Sequence, residues 1–342
     1  MSVASTIKDA VRTVLYRSGV LGEWHRRRNK HTLTVLMFHR VLPAGSDALA
    51  QSEREFAFSV EGFGRTLDFV ARHYQVVNFA QVKAAIDGQG KLPECPLLIT
   101  FDDGWRDTIE FAMPELKKRG LPALLFLATE VMALEQPRWW QDAAVAVLAN
   151  PQTARKLLQA LGMPADASTQ PGYSQQVAAK LAGMPEAQRC QVIQQADPRV
   201  LQEITDRQMV SADDLRQWTD NGFDLGGHGH SHSPIAYARD PRVEVFDCRS
   251  HLRALGLKDL SLSYPHGVKN DASRELLKDA GFEVVFDSNP CLANVAKLPR
   301  LRFDVPRIHL PENAWTTRNG RIDFARLAMF LFFRPVQGLV HA

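Results

Sequence analysis

Leu97-Leu98-Ile99-Thr100-Phe101-Asp102-Asp103-Gly104-Trp105 carries a short apolar and β-branched run straight into two adjacent carboxylates and a glycine. A run of this length and composition reads as a buried strand. Carboxylates at the C-terminal end of such a strand stand where α/β barrels keep their chemistry. Neighbouring strand residues point to opposite faces, but a turn at Gly104 lets Asp102 and Asp103 face one cavity. Two like charges so close call for a cation or a shared proton. Taken alone, Asp-Asp-Gly reads first as a surface turn with a capping aspartate.

A second segment argues against the surface turn. Phe223-Asp224-Leu225-Gly226-Gly227-His228-Gly229-His230-Ser231-His232 places three histidines at i, i+2 and i+4 behind a short apolar run. If the segment makes a helical turn, His228 and His232 converge on one ion while His230 points elsewhere. One Asp oxygen and two imidazole nitrogens leave open positions for water and substrate, as a catalytic metal site requires.

Between and around these segments, strands alternate with helices. Strands are expected at 33–38, 75–78, 97–101, 123–127, 223–226, 260–264 and 283–287. Helices are expected at 60–72, 79–86, 108–119, 212–221, 242–255 and 272–280. That order implies a parallel α/β sheet, open or closed into a barrel. From about Asp142 to Arg207 the chain is rich in Ala, Gln, Leu and Lys with few β-branched clusters, which reads as a helical insertion.

In content and order the two segments resemble the polysaccharide deacetylase family, the NodB-homology fold of carbohydrate esterase family 4. Leu36-Met37-Phe38-His39-Arg40-Val41, Met113-Pro114-Glu115-Leu116-Lys117, Leu121-Pro122-Ala123 and Ser263-Tyr264-Pro265-His266-Gly267 look like further parts of the same pattern. The resemblance spans about residues 32–310 and implies a distorted (β/α)7 barrel. It also implies that Asp102 is the catalytic base, that Asp103, His228 and His232 hold a divalent metal, and that the substrate is an N-acetylated carbohydrate. Within the family, the poly-N-acetylglucosamine deacetylase-like subgroup of exopolysaccharide clusters is the nearest in pattern. Its Tyr-His-Arg motif carries an acid histidine, and His39 matches that histidine with Phe38 in place of the tyrosine.

The chain departs from the family pattern at two places. An arginine that orients the base is replaced by Ser263, leaving Arg40, Arg302 and Arg307 as candidates for its task. The late Leu-x-His motif is reduced to Ile308-His309-Leu310, so His39 is preferred to His309 as the acid. These gaps keep a non-catalytic sugar-binding relic in view, and the same site would also suit O-acetyl or formyl removal. Asp-His-His ligation favours zinc, with nickel or cobalt suited to the same donors. The isolated Cys95, Cys190, Cys248 and Cys291 form no C-x-x-C pair, which argues against a thiolate site and for a reducing compartment.

At 342 residues, 45% hydrophobic and 23% charged, the chain suits one barrel domain with decorations. Its formal net charge is +3, yet residues 1–40 hold eight Lys or Arg against Asp9 and Glu23, a net of +6. Charges interrupt every apolar run of the first thirty residues, so no secretory signal is read and a cytoplasmic location is expected. Residues 1–31 form a basic amphipathic arm, and the apolar run Leu327–Phe333 lies within a C-terminal segment, 311–342. That run is far shorter than the roughly 20 residues of a bilayer span. Either end could pack on the barrel or lie on an anionic membrane surface, which would suit an enzyme of lipid-linked sugars. Nucleic acid is not expected, because no aromatic and basic interleaving or recognition fold accompanies the arm. Trp139-Trp140, at the start of the insertion in Pro137-Arg138-Trp139-Trp140-Gln141-Asp142, would either stack on sugars or anchor the insertion.

Overall fold

The computed structural model describes residues 3–134, 137–164, 173–202, 204, 206–317 and 322–337, with the backbone alone at 3–7, 174, 175 and 179. Among them, one curled ten-stranded sheet is framed by seven parallel strands: β1 (Thr32–Phe38), β2 (Pro96–Phe101), β3 (Leu124–Leu127), β4 (Asp224–Gly227), β5 (Ser261–Ser263), β6 (Val284–Phe286) and β7 (Ile308–His309). Their spatial order is β7-β1-β2-β3-β4-β5-β6. Val305, just before β7, bridges Phe286 of β6 in parallel, and Ile308 pairs with Leu36 of β1. One short segment therefore touches both edges of the sheet, which curls into a distorted α/β barrel. The alternating pattern alone did not decide between this and an open sheet.

Period-two alternation sorts the strand side chains. Leu33 and Val35 of β1, Leu98 of β2, Leu124 and Phe126 of β3 and Phe286 of β6 come from four strands and meet in one buried cluster. Leu97, Ile99 and Phe101 face the other way, into the cluster shared with the surrounding helices. Thr100 and Asp102 have the same parity as Leu98, so β2 delivers Asp102 on its interior face. At Gly226 of β4 a Cβ would stand 2.8 Å from the Phe126 ring, so the absent side chain is what admits the phenylalanine. Helices pack outside, several started by reciprocal caps such as Asn78 with Gln81 and Ser211 with Asp214.

Between β3 and β4, ahead of the helix Ala212–Asp220, the described residues of the insertion form four helices: Trp140–Ala149 (here α4), Pro151–Ala160, Tyr173–Ala182 (α5) and Glu186–Ala196. Trp139 and Trp140 are 1% and 2% exposed, and Trp139 meets Trp105 edge to face at 5.2 Å. Both rings pack against the protein, as the anchoring reading expects, and Trp139 also lines the cavity. A short parallel pair, Arg40–Leu42 with Ala57–Ser59, was not expected, since three-residue strands give no periodic signal.

The two ends of the chain pack together. Helix α1 (Val3–Arg17) and helix α2 (Val20–Arg28) lie against the C-terminal helix α6 (Phe324–Phe332) and against α3 (Val60–His73). The His25 ring stacks on Phe332 at 4.1 Å, Asn29 Nδ2 donates to the Phe332 carbonyl at 2.9 Å, and Arg28 donates to the carbonyls of Phe332 and Arg334. Leu327, Ala328, Leu331 and Phe332 are buried, so most of the C-terminal apolar run completes the core. No described helix is long and apolar enough to cross a membrane.

Candidate active site

The chemistry gathers at the C-terminal ends of the strands. Asp102 follows β2 on the interior side, and Asp103 is turned to join it by its own left-handed backbone (φ 76°) and that of Gly104 (φ 98°). Both carboxylates are buried. Trp105 Nε1 donates to Asp103 Oδ2 at 2.9 Å, which leaves Oδ1 buried with no hydrogen-bond partner. Burial raises Asp103 to about 6, with the Asp102 charge adding to the rise and His39 opposing it.

Arg307 takes the place left by Ser263. Its two terminal nitrogens donate to Asp102 Oδ1 and Oδ2 at 2.6 and 2.8 Å, a bidentate pair that is 1% and 2% exposed. One of those nitrogens also donates to Ser263 Oγ, and Nε donates to the Asp287 carbonyl at 3.0 Å. Burial alone would push Asp102 up, but the guanidinium outweighs it and holds the carboxyl at about 2. The other two arginine candidates are engaged elsewhere. Arg40 pairs with Asp107 at 2.9 Å and lies over the Trp105 ring at 4.0 Å, buttressing the turn, while Arg302 pairs with Asp87.

His228 and His232 converge on Asp103, though not from a helical turn as the spacing suggested. The segment after β4 is an irregular loop, with Gly229 (φ 75°) and His232 (φ 64°) both left-handed. His228 Nε2 stands 3.5 Å and His232 Nε2 3.3 Å from Asp103 Oδ1. The far nitrogens are fixed: His228 Nδ1 donates to the Ser263 carbonyl at 2.9 Å, and His232 Nδ1 to Gln141 Oε1 at 2.7 Å. Each Nε2 is thereby left as a lone pair aimed inward. Burial lowers the pKa of both rings, which keeps them neutral, as metal ligands must be. His230 points away, to Thr129 Oγ1 at 3.0 Å.

This donor set fits a divalent cation. Asp103 Oδ1 and His232 Nε2 are buried without partners, and one ligand atom from each of the three residues lies within 4.8 Å of the others. A tetrahedral ion with bonds of about 2.1 Å holds its ligand atoms about 3.4 Å apart. The 3.3 and 3.5 Å separations from Asp103 Oδ1 match that spacing.

His39 and His309 both line the same cavity of about 370 Å³, together with Asp102, His266 and Tyr264. Their rings are 5.9 Å apart, and His39 Nδ1 is buried with no partner. Burial lowers His39, against the pull of Asp103 and Asp102. The site also contains a residue that motif reasoning missed. Gln141 gave no sign of its role beyond adjacency to the tryptophan pair, because its partner His232 is 91 positions away.

No protein-family model matches the sequence, and no curated protein sequence does either. Solved structures do match. The Streptococcus pyogenes deacetylase PplD, solved in complex with acetate, superposes with a TM-score of 0.55 at 14% identity over 83% of this chain and 95% of its own. A polysaccharide deacetylase from Bacillus cereus gives 0.56 at 12% over 88% and 69%. A de-N-acetylase from Aggregatibacter actinomycetemcomitans gives 0.53 at 15% over 88% and 100%. With a curled parallel sheet that carries its carboxylates and histidines on one rim, this chain has the fold of the polysaccharide deacetylases.

Proposed function

We propose that the protein is a metal-dependent hydrolase that removes N-acetyl groups from an amino sugar, free in a glycan or linked to a lipid, during the making of a cell-surface polysaccharide. The observation that carries this reading is the pairing of an Arg307-clamped Asp102 with the unpartnered donor atoms of Asp103 and His232 in one buried cavity. Asp103, His228 and His232 hold the ion, with zinc best suited to the donors. A divalent ion there would acidify a water and polarise the acyl carbonyl. Asp102, kept ionised by Arg307, takes the proton from that water. An amine leaves poorly without a proton, and His39 delivers it, with His309 as the neighbour that would replace it. The products are acetate and a free amine. A protein that only bound sugar would have no use for buried, unpartnered donor atoms on Asp103 and His232, which weighs against the relic reading.

Loss of one acyl group, followed by mass spectrometry on N-acetylglucosamine oligomers, an O-acetylated sugar and an N-formylated one, tests this reading. Amine from the N-acetyl substrate, slowed by His39→Ala more than by His309→Ala, is expected. Sugar binding with no product from any of the three would return the protein to the relic class.

Support for a membrane surface as partner comes from the ends of the chain. Val11, Val14 and Leu15 of α1, Val20 of α2, and Met329 and Phe333 at α6 are among the few large apolar residues left exposed. Exposed Arg17, Arg26 and Arg27 stand on the same two N-terminal helices, a composition that suits anionic lipid. Sedimentation with vesicles containing phosphatidylglycerol, and not with phosphatidylcholine alone, is the expected result. Equal absence from both would remove the membrane from the account.

A further inference from the structure

The cavity has two unlike walls. The barrel wall carries the carboxylates and histidines, including His266, whose Nε2 is buried with no hydrogen-bond partner. The opposite wall belongs to α4 and α5, which present Ala144, Val145, Leu148, Val177 and Ala178. On α4, residues 141, 144, 145 and 148 recur at i, i+3, i+4 and i+7 and so share one face. Gln141 heads that face with its bond to His232. The apolar stripe thus begins at Ala144, one turn past Gln141, and ends at Leu148, about 10 Å from Gln141 along the axis at 1.5 Å per residue.

These side chains are not all used by the core. Val145 and Ala178 are only half-buried and belong to none of the packed hydrophobic clusters. Beyond Asp142, every described residue that α4 and α5 contribute to the cavity is aliphatic. Sugar hydroxyls need hydrogen-bonding partners or aromatic faces, and small aliphatic side chains offer neither. The cavity of about 370 Å³ lies within the about 300–1,000 Å³ usual for small-molecule sites.

We infer that this face is a subsite for a hydrocarbon chain, so that the ligand is an amphiphile: an N-acylated amino sugar bearing an aliphatic chain on its aglycone or in its acyl group. That this ligand is a substrate rests on the hydrolase reading; that it binds here does not. The test is therefore one of binding, followed by tryptophan fluorescence, since Trp139 lines the cavity. It uses the Asp102→Asn protein and three probes below their micellar concentrations: N-acetylglucosamine, its octyl glycoside and N-octanoylglucosamine. Each methylene buried is worth about fourfold in affinity. A chain that buries three or four of its methylenes along α4 should bind on the order of a hundredfold tighter than the chainless sugar, and whichever octyl probe gains identifies the bond that carries the chain. Val145→Asp should abolish the gain, and Ala178→Trp, which fills the slot, should do the same if the first variant folds poorly. Equal affinity for all three probes, or a gain that survives both substitutions, overturns the subsite. A gain without any hydrolysis by the unmutated protein would leave the subsite standing and sink the hydrolase reading; hydrolysis of chainless sugar without a gain would do the reverse.

Discussion

Arg307 governs what Asp102 can do. A carboxylate buried this deeply would ordinarily be pushed toward its neutral form, and the bidentate guanidinium reverses that, holding it at about 2. Arg307→Ala should therefore abolish turnover and destabilise the fold by about 3–5 kcal/mol in denaturant unfolding, since it leaves a buried charge unpaired. Bound metal should be retained, and Arg307→Lys should recover part of the stability. Retained turnover in the alanine variant would show that the clamp is not needed. Asp102, Asp103, His228 and His232 were legible because each sits in a local pattern of carboxylates, glycines and spaced histidines. Arg307 was legible only as one of three candidates, because it is 205 positions from Asp102 and nothing local marks the pairing. The vacancy at Ser263 was the only hint, and Ser263 Oγ indeed accepts from Arg307.

At the scale of elements, the loop that follows β4 does what a helical turn was expected to do. Gly229 and His232, both in the left-handed region, fold the rings of His228 and His232 back onto Asp103. An i, i+4 spacing is satisfied by more than one backbone path, so spacing alone could not choose between them. Gln141 ties this loop to α4. Gln141→Leu should weaken zinc affinity by about 10- to 100-fold in a competitive chelator titration, because it frees the His232 ring; unchanged affinity would make the bond incidental. The terminal helices carry a separate signature. Burial pushes His25 and His73 each down to about 4, so both are neutral in the fold. The unfolded chain protonates them below about 6.5. Stability from this pair is complete above pH 6.5 and is lost as pH falls toward 4, on the order of 3 kcal/mol for His25 alone. His25→Gln should flatten that part of the stability profile, and an unchanged slope in urea unfolding would contradict the assignment. The basic, amphipathic character of α1 was readable from its sequence, but its docking on α6 was not, since the contacts join residues more than 300 positions apart.

The whole molecule is a barrel because one short segment meets both edges of the sheet, Val305 at β6 and Ile308 at β1. Alternating strand and helix signals foretold the parallel sheet, while closure depends on a two-residue strand that periodicity does not register. That closure sets Arg307 between β6 and β7, beside Asp102, and so completes the site. The helical insertion between β3 and β4 then walls the cavity with α4 and α5. The most direct test of a metal-dependent hydrolase built on these four residues is one measurement across three states of the protein. Acetate release from N-acetylglucosamine oligomers and the octyl glycoside, with zinc content assayed in parallel, should be made for the untreated protein, for the chelated protein with zinc restored, and for Asp102→Asn. Release that stops with chelation, returns with zinc, and is absent from an Asp102→Asn protein that still holds zinc is the expected result. Release that survives chelation or the Asp102→Asn substitution, or a protein that binds no divalent ion at all, would contradict it.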